Sequence, residues 1–101
     1  MLHIINKSSQ ERNSLESCLR VASGNSGGAI LLIEDAVYAA TRGNTAENHL
    51  RDALSRFKIY ALAPDLEARG MADRVMEGVT TVDYGGFVDL VAEHKNCQSW
   101  L

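Results

Sequence analysis

The unbroken apolar run Ala29–Ile33 is the feature that most restricts how this chain can fold. It follows a turn-forming cluster of serine, glycine and asparagine at positions 23–28 and lacks the alternation of a half-exposed strand. Such a run is typical of a strand in a parallel sheet that is covered on both faces. Three further segments predict strands of the same sheet, namely Leu2–Asn6, Lys58–Leu62 and Val79–Val82.

Helices are predicted between these strands. Ser8 and Glu11 match a capping box, and the residues behind them have apolar side chains at helical spacing: Leu15, Cys18, Leu19 and Ala22. The second predicted helix is short and runs from Glu34 to Gly43, and the third follows Asn44 and Glu47, which match a capping pair, and has the stripe Leu50, Ala53, Leu54 and Phe57. The fourth lies over Asp65–Arg69 between Pro64 and Gly70, and the last is capped by Asp83 and has Tyr84, Phe87, Val88 and Val91 on one face.

The tail after the last helix, around Lys95–Gln98, is expected to be loose. Strands that alternate with helices imply crossovers on both faces of one sheet. The sequence therefore predicts a single small, doubly wound α/β domain over residues 1–101, with a mainly parallel sheet.

Composition excludes several classes of protein. Hydrophobic residues make up 46% and charged residues 23% of the 101 residues, as in ordinary globular domains rather than disordered tails. A net charge of −3 gives no electrostatic case for direct nucleic-acid binding. The longest apolar run is far shorter than the ~20 residues of a membrane span. The first residues lack the layout of a signal peptide, so we expect a cytoplasmic protein without membrane contact.

No phosphate or cofactor site is predicted at the strand ends. Asn6–Ser9 lacks the glycine pattern of a dinucleotide loop, and Gly24–Gly28 precedes a strand instead of opening a helix. Gly85–Gly86 is interpreted as a packing or entry feature of the last helix. Asp65, just after the third strand, invites comparison with a phospho-accepting receiver domain, but Asn6–Lys7 supplies no carboxylates for the magnesium ion.

Histidines and cysteines give no metal or disulfide pattern. His3, His49 and His94 share no ligand spacing; we expect His3 in the sheet and His94 near a helix end, where the dipole favours it. Cys18 lies on an apolar stripe, so an inert thiol is favoured over a reactive one, although both stay open. Cys97, in the tail, has no evident activating group.

Trp100 is the candidate interface residue. A tryptophan at the end of the sequence is costly to leave in water, so we expect it to dock on its own domain or on a partner. From the residues alone, the chain is thus a small α/β module with hints of an interface and without a self-sufficient active site.

Several stretches together resemble the DsrH/TusB family of sulfur-relay proteins. They run from end to end of the chain: 1–8, 32–40, 60–70, 82–90 and 98–100. Glu11–Leu19, with Cys18, looks like the DsrH branch of sulfur-oxidising bacteria, since the TusB branch generally lacks that cysteine.

The resemblance implies a flavodoxin-like fold without a flavin and assembly with two homologous subunits, DsrE/TusD and DsrF/TusC, into a heterohexamer. It implies relay of persulfide sulfur to DsrC in sulfur oxidation, or through TusE toward 2-thiouridine in tRNA. The main sulfur-carrying cysteine is expected on the DsrE/TusD subunit. Of that chemistry, only Cys18 maps onto this chain, as a candidate persulfide carrier.

Two hypotheses follow, with a third that sets the resemblance aside. In the first, the chain is a structural and docking subunit in which Cys18 is silent or auxiliary. In the second, Cys18 carries sulfur directly. In the third, the chain is an unrelated α/β module that binds an acidic or nucleotide ligand, which the missing phosphate loop disfavours.

Overall fold

A computed structural model of the chain describes residues 2–5, 28–41, 47–55, 57–94 and 97–100. The predicted first helix, with Cys18, and the predicted cap Asn44 lie outside the described residues.

Within the described residues, the sheet has five parallel strands in the order β4-β3-β2-β1-β5. Their bounds are β1 Leu2–Ile5, β2 Ala29–Leu32, β3 Lys58–Leu62, β4 Thr80–Val82 and β5 Cys97–Trp100. The four predicted strands are confirmed to within a residue at each end. All four residues of β2 are buried, as its uniformly apolar sequence predicts.

The prediction of a loose tail is wrong for Cys97 and Gln98, because Cys97–Trp100 forms the fifth strand, while Lys95 and Asn96 lie outside the described residues. It pairs in parallel with β1, from Leu2 opposite Cys97 to Ile5 opposite Trp100. The segment contains Gln98 and Ser99 and has no strong strand preference of its own. Its conformation depends on the edge that β1 offers, a tertiary effect that routinely overrides local propensity.

Helical segments connect the strands. They are a 3-10 helix η1 (Glu34–Ala40), the helices α1 (Glu47–Ala53) and α2 (Ala63–Ala68), a short 3-10 helix η2 (Ala72–Arg74) and the helix α3 (Tyr84–Glu93). Pro64 lies in the first turn of α2, where its missing N–H costs nothing. Gly70, just past α2, has φ +67°, which glycine adopts without strain.

The larger core cluster lies on the sheet face covered by η1, α1 and α2. Alternate strand residues, such as Ile5, Leu32 and Ala61, meet Val37 of η1 and Leu50 of α1 there. The apolar stripe predicted behind Glu47, on α1 and the residues after it, is confirmed: Leu50, Ala53 and Phe57 are buried, and Leu54 packs against this cluster.

The smaller cluster lies on the opposite face. Leu2, Ala29 and Leu31 are buried there with Leu90 of α3, and the partly buried Phe87 packs against them. Described helices therefore cover both faces of a parallel sheet, which confirms the predicted doubly wound α/β fold.

Candidate functional site

The parallel sheet brings the carboxyl ends of all five strands to one edge. In the order β4-β3-β2-β1-β5, the chain adds β2, β3 and β4 on one side of β1 and then places β5 on the other. The order reverses between β1 and β5, and ligands of doubly wound sheets bind at such a reversal, beyond the carboxyl ends. Ile5 and Trp100 stand opposite each other at this point.

The two predicted site residues are Cys18 and Trp100, and the structure describes only the backbone of Trp100. Cys18 lies outside the described residues, so its role as a persulfide carrier stays a prediction. The backbone of Trp100 lies at the carboxyl end of β5, beside the point where the strand order reverses. The side chain of Trp100 is outside the described part, and its docking also stays a prediction.

Cys97 lies at the other edge of the sheet. It begins β5, opposite Leu2, and its thiol is free and exposed. Strand residues advance about 3.3 Å each, so the Cα atoms of Cys97 and Trp100 are about 10 Å apart. The exposed thiol is therefore separated from the edge where a ligand of this fold would bind.

A group of charged side chains joins the exits of β2 and β3. Asp65 of α2 accepts a hydrogen bond from the backbone N–H of Glu34, at 2.7 Å. Arg69 donates from Nε and Nη2 to Oδ1 of Asp35, at 3.1 and 3.0 Å. The Nη1 of Arg69 also lies 3.8 Å from the carboxylate of Asp65. Together these contacts tie α2 to the start of η1.

This group has a structural explanation. Glu34 has φ +50°, a left-handed conformation that is strained for a residue with a Cβ. The carboxylate of Asp65 fixes that conformation by accepting the N–H of Glu34. Asp65 is thus engaged in positioning the loop after β2, and this use of its oxygens differs from that of a phospho-acceptor. The sequence shows the spacing of Asp65 and Arg69 but not their contacts with η1.

The start of α3 is built by Asp83 and two glycines. The Asp83 side chain accepts the backbone N–H of Gly86 at 2.8 Å, which confirms the predicted helix cap. A Cβ on Gly86 would lie 2.9 Å from Cβ of Val82, so the helix passes too close to β4 for any other residue. A Cβ on Gly85 would meet only the Asp83 carboxylate, at 3.4 Å. The predicted packing role therefore belongs to Gly86.

The histidines lie at structural positions where they are described. His3 is buried in β1 beside Ile30, and burial lowers the pKa of its imidazole below 6.5, with a smaller contribution from the amino-terminal charge. His94 lies at the end of α3, as predicted, and its Nδ1 donates to the carbonyl of Leu90 at 2.8 Å. The side chain of His49 is outside the described part. Within the described residues, no three His, Cys, Asp or Glu side chains form a group suited to a metal ion.

The apolar face predicted for the last helix is mostly exposed. Tyr84 is 63% exposed, Val88 64% and Val91 37%, whereas Leu90 is the buried residue of α3. Phe87 is partly buried and packs against the smaller core cluster. The sequence pattern places these side chains on one face of the helix but does not show that they form an exposed surface. A signal was available, because apolar residues cover more of this helix than one sheet face can bury.

An open groove of about 670 Å³ lies elsewhere, beside α1. It is lined by Arg51, Val75, Met76, Glu77 and Gly78. The lining residues that the structure describes offer one cation, one anion and no nucleophile, so we assign no chemistry to the groove.

Comparison with known sequences gives the family. The family described as DsrH like protein matches residues 7–97. The chain belongs to the DsrH/TusB family. Protein TusB of Pectobacterium parmentieri is 37% identical over 100 residues, which is 99% of this chain and 100% of that protein. Protein TusB of Escherichia coli O81 (strain ED1a) is 36% identical over the same shares, and Protein TusB of Salmonella dublin is 39% identical over 73% of this chain and 76% of that protein.

Solved structures agree with the fold. The ychN protein from Escherichia coli has a TM-score of 0.80 at 16% identity and covers 97% of each chain. A protein of unknown function from Methanobacterium thermoautotrophicum has a TM-score of 0.78 at 19% identity, over 97% of this chain and 95% of that chain. These neighbours support the fold alone.

Membership of the DsrH/TusB family supports a role as a subunit of a sulfur-relay complex. A membrane-spanning helix is not found in the described part of the chain, since none of its helices has the length and apolar character required.

Proposed function

We propose that this chain is a structural and docking subunit of a DsrEFH/TusBCD-type sulfurtransferase complex. Its partners are DsrE/TusD-like and DsrF/TusC-like chains in a heterohexamer, and the main persulfide-carrying cysteine belongs to the DsrE/TusD-like partner. The complex acts in the cytoplasm, where reducing conditions keep thiols free. The single observation that carries this proposal is the family match over almost the whole chain.

The described side chains support a docking role. Asp65, Arg69 and Asp83 are engaged in holding loops and helix ends. Cys97 lies away from the carboxyl edge of the sheet, and α3 exposes apolar side chains. This pattern suits a subunit that contributes surface rather than a catalytic centre.

A second candidate function is direct sulfur transfer through Cys18, favoured by its place in the DsrH-like segment Glu11–Leu19. In this reaction the Cys18 thiolate attacks the outer sulfur of a donor persulfide. A new S–S bond forms on Cys18, the donor S–S bond breaks, and the donor cysteine leaves as a thiolate. The net number of persulfides is unchanged, so the step needs no oxidant.

The experiment loads the assembled complex with a persulfide donor and measures the intact mass of each chain. The docking proposal predicts no adduct on this chain and full transfer by a Cys18→Ser complex. A gain of about 32 Da, one sulfur atom, that is lost in Cys18→Ser would contradict it and establish Cys18 as a carrier. Cys97→Ser is the matched control, because it removes a thiol that neither hypothesis uses.

The acceptor distinguishes the two branches of the family. We propose that sulfur leaves the complex to a DsrC-like acceptor in sulfur oxidation or to a TusE-like acceptor in tRNA thiolation. The names of the relatives favour the TusE-like acceptor, whereas the Cys18 segment resembles the DsrH branch. Each acceptor is mixed with the loaded complex, and its intact mass is then measured. The acceptor that gains the mass of sulfur identifies the branch.

A further inference from the structure

The outer side of α3 has three neighbouring apolar side chains that are exposed to solvent. Tyr84, Val88 and Val91, here called the α3 stripe, are 63%, 64% and 37% exposed. At 3.6 residues per turn they lie within about 60° of the helix circumference. Singly exposed apolar residues are normal, whereas contiguous exposed patches larger than a few hundred Å² mark interaction sites.

The α3 stripe continues the smaller core cluster. Phe87 lies between the stripe and the buried Leu90 around the helix, and it packs against that cluster. The apolar arc of α3 thus extends over about 160°, wider than the face that the sheet buries. The exposed part of this arc is an extension of the core, suited to cover by another polypeptide.

The charges on α3 restrict what covers it. The helix has no Lys or Arg in its sequence, and its exposed charged residues are Asp89 and Glu93. A helix that binds a lipid surface is typically rich in Lys and Arg on its polar face, so the charges of α3 disfavour a membrane as the occupant. Two copies of this chain packed through α3 would bring acidic helices together within about one Debye length, which disfavours a self-dimer.

Small residues give the partner room beside the stripe. Gly85 and Ala92 lie next to it on the helix surface, and both are exposed. A Cβ on Gly85 would meet only the Asp83 carboxylate, so the backbone there is open to close approach. The α3 stripe forms a ridge, and the small side chains beside it leave a groove. A second helix packs against such a surface by placing its own ridge in the groove.

We infer that the α3 stripe docks the apolar face of a helix from a different polypeptide, one bordered by Lys or Arg. This inference rests on the proposed function, which supplies such a chain as one of the two sister subunits. The three side chains are too few for a whole interface, which buries about 800 Å² on each partner. They form its central anchor, and the polar surroundings complete it.

The test compares two single-lysine variants at exposed helical positions. Val88→Lys places a cation in the centre of the α3 stripe. Ala68→Lys, at the exposed end of α2, is the matched control. Circular dichroism checks that each variant is folded. Each variant is then titrated with the purified DsrE/TusD-like and DsrF/TusC-like chains of the same organism. We expect Val88→Lys to raise the Kd for one sister chain at least about tenfold, while Ala68→Lys stays within about twofold.

Other outcomes overturn the inference in distinguishable ways. If the native chain binds a sister chain and Val88→Lys binds equally well, the α3 stripe is not the docking surface, and the proposed function stands. If the native chain binds neither sister chain, the proposed function itself fails. If the native chain alone forms a dimer that Val88→Lys dissociates, the occupant is a second copy, and the inference of a different partner is wrong.

Discussion

The two faces of the sheet differ in how completely the described residues cover them. Among the described residues, fourteen buried apolar residues form the cluster under η1, α1 and α2, whereas four form the cluster under α3. On the first face, η1, α1 and α2 bury the apolar side chains of the sheet, as in the close-packed interior of a domain. The second continues outward into Tyr84 and Val88, which stay exposed. From this difference, and from the inferred docking of the α3 stripe, we expect the larger cluster to contribute more to stability and α3 to contribute to contact with a partner.

Truncation of one side chain on each face gives the largest contrast in stability. Leu32 is fully buried in the larger cluster, so we expect Leu32→Ala to lower the free energy of unfolding by about 2–5 kcal/mol. Val88→Ala removes an exposed side chain, and we expect a change within about 0.5 kcal/mol. Urea unfolding of the isolated chain measures both. Equal losses would mean that Val88 is covered within the isolated chain and that the α3 stripe is not exposed.

The paired glycines test how closely α3 is held to the sheet. Gly86→Ala places a Cβ 2.9 Å from Cβ of Val82, and we expect a loss of about 1–3 kcal/mol from this overpacking. Gly85→Ala meets no such contact and replaces a helical glycine, so we expect it to be neutral or to stabilise by up to about 1 kcal/mol. Thermal unfolding of the two variants checks the signs. A harmless Gly86→Ala would show that α3 is free to move away from β4.

The contact between Asp65 and Glu34 tests the better-covered side at its loops. Asp65→Ala removes the acceptor for the Glu34 N–H and a carboxylate near Arg69. We expect a loss of about 1–2 kcal/mol, because a charged acceptor is removed from a largely shielded position. Glu67→Ala, at an exposed site on the same helix, is the control and is expected to change stability by less than about 0.5 kcal/mol. If Asp65→Ala and Glu67→Ala lower the free energy of unfolding by similar amounts, Asp65 has no positioning role.

The smallest expected effect is a dependence on pH that comes from His3. Burial lowers the pKa of His3 in the folded state below 6.5, the ordinary value that it has in the unfolded chain. Between the folded-state pKa and the unfolded-state pKa, the unfolded chain therefore binds more protons than the folded chain. The contribution of His3 therefore makes the protein most stable above about pH 6.5 and less stable as the pH falls through the folded-state pKa. Urea unfolding at a series of pH values, for the native chain and His3→Gln, measures it. An identical slope in the variant would exclude His3 as the cause.

The sequence predicts most of the better-covered side and less of the other. The uniform run Ala29–Leu32 and the stripe Leu50, Ala53 and Phe57 are explained by burial within this chain, so their patterns reveal their positions. The strand Cys97–Trp100 was missed because its conformation depends on pairing with β1. The face of α3 was recognised as apolar, but whether such a face is buried inside the domain depends on the width of the sheet beneath it.

The charged group around Asp65 shows the same limit at the candidate site. The spacing of Asp65 and Arg69 on one helix is visible in the sequence, but the contact of Arg69 with Asp35 joins residues that are 34 positions apart. Family resemblance supplied the functional hypothesis, because no motif in the chain describes a complete reaction by itself.

Hydroxyl-radical footprinting of two tyrosines, one on each side of the sheet, tests the central claim most directly. Tyr84 on α3 and Tyr38 on η1 are both exposed in the isolated chain, and Tyr38 is the internal control. We expect assembly with the sister subunits to lower the oxidation rate of Tyr84 several-fold and to leave that of Tyr38 nearly unchanged. An assembled complex in which Tyr84 is oxidised as fast as in the isolated chain would contradict this expectation.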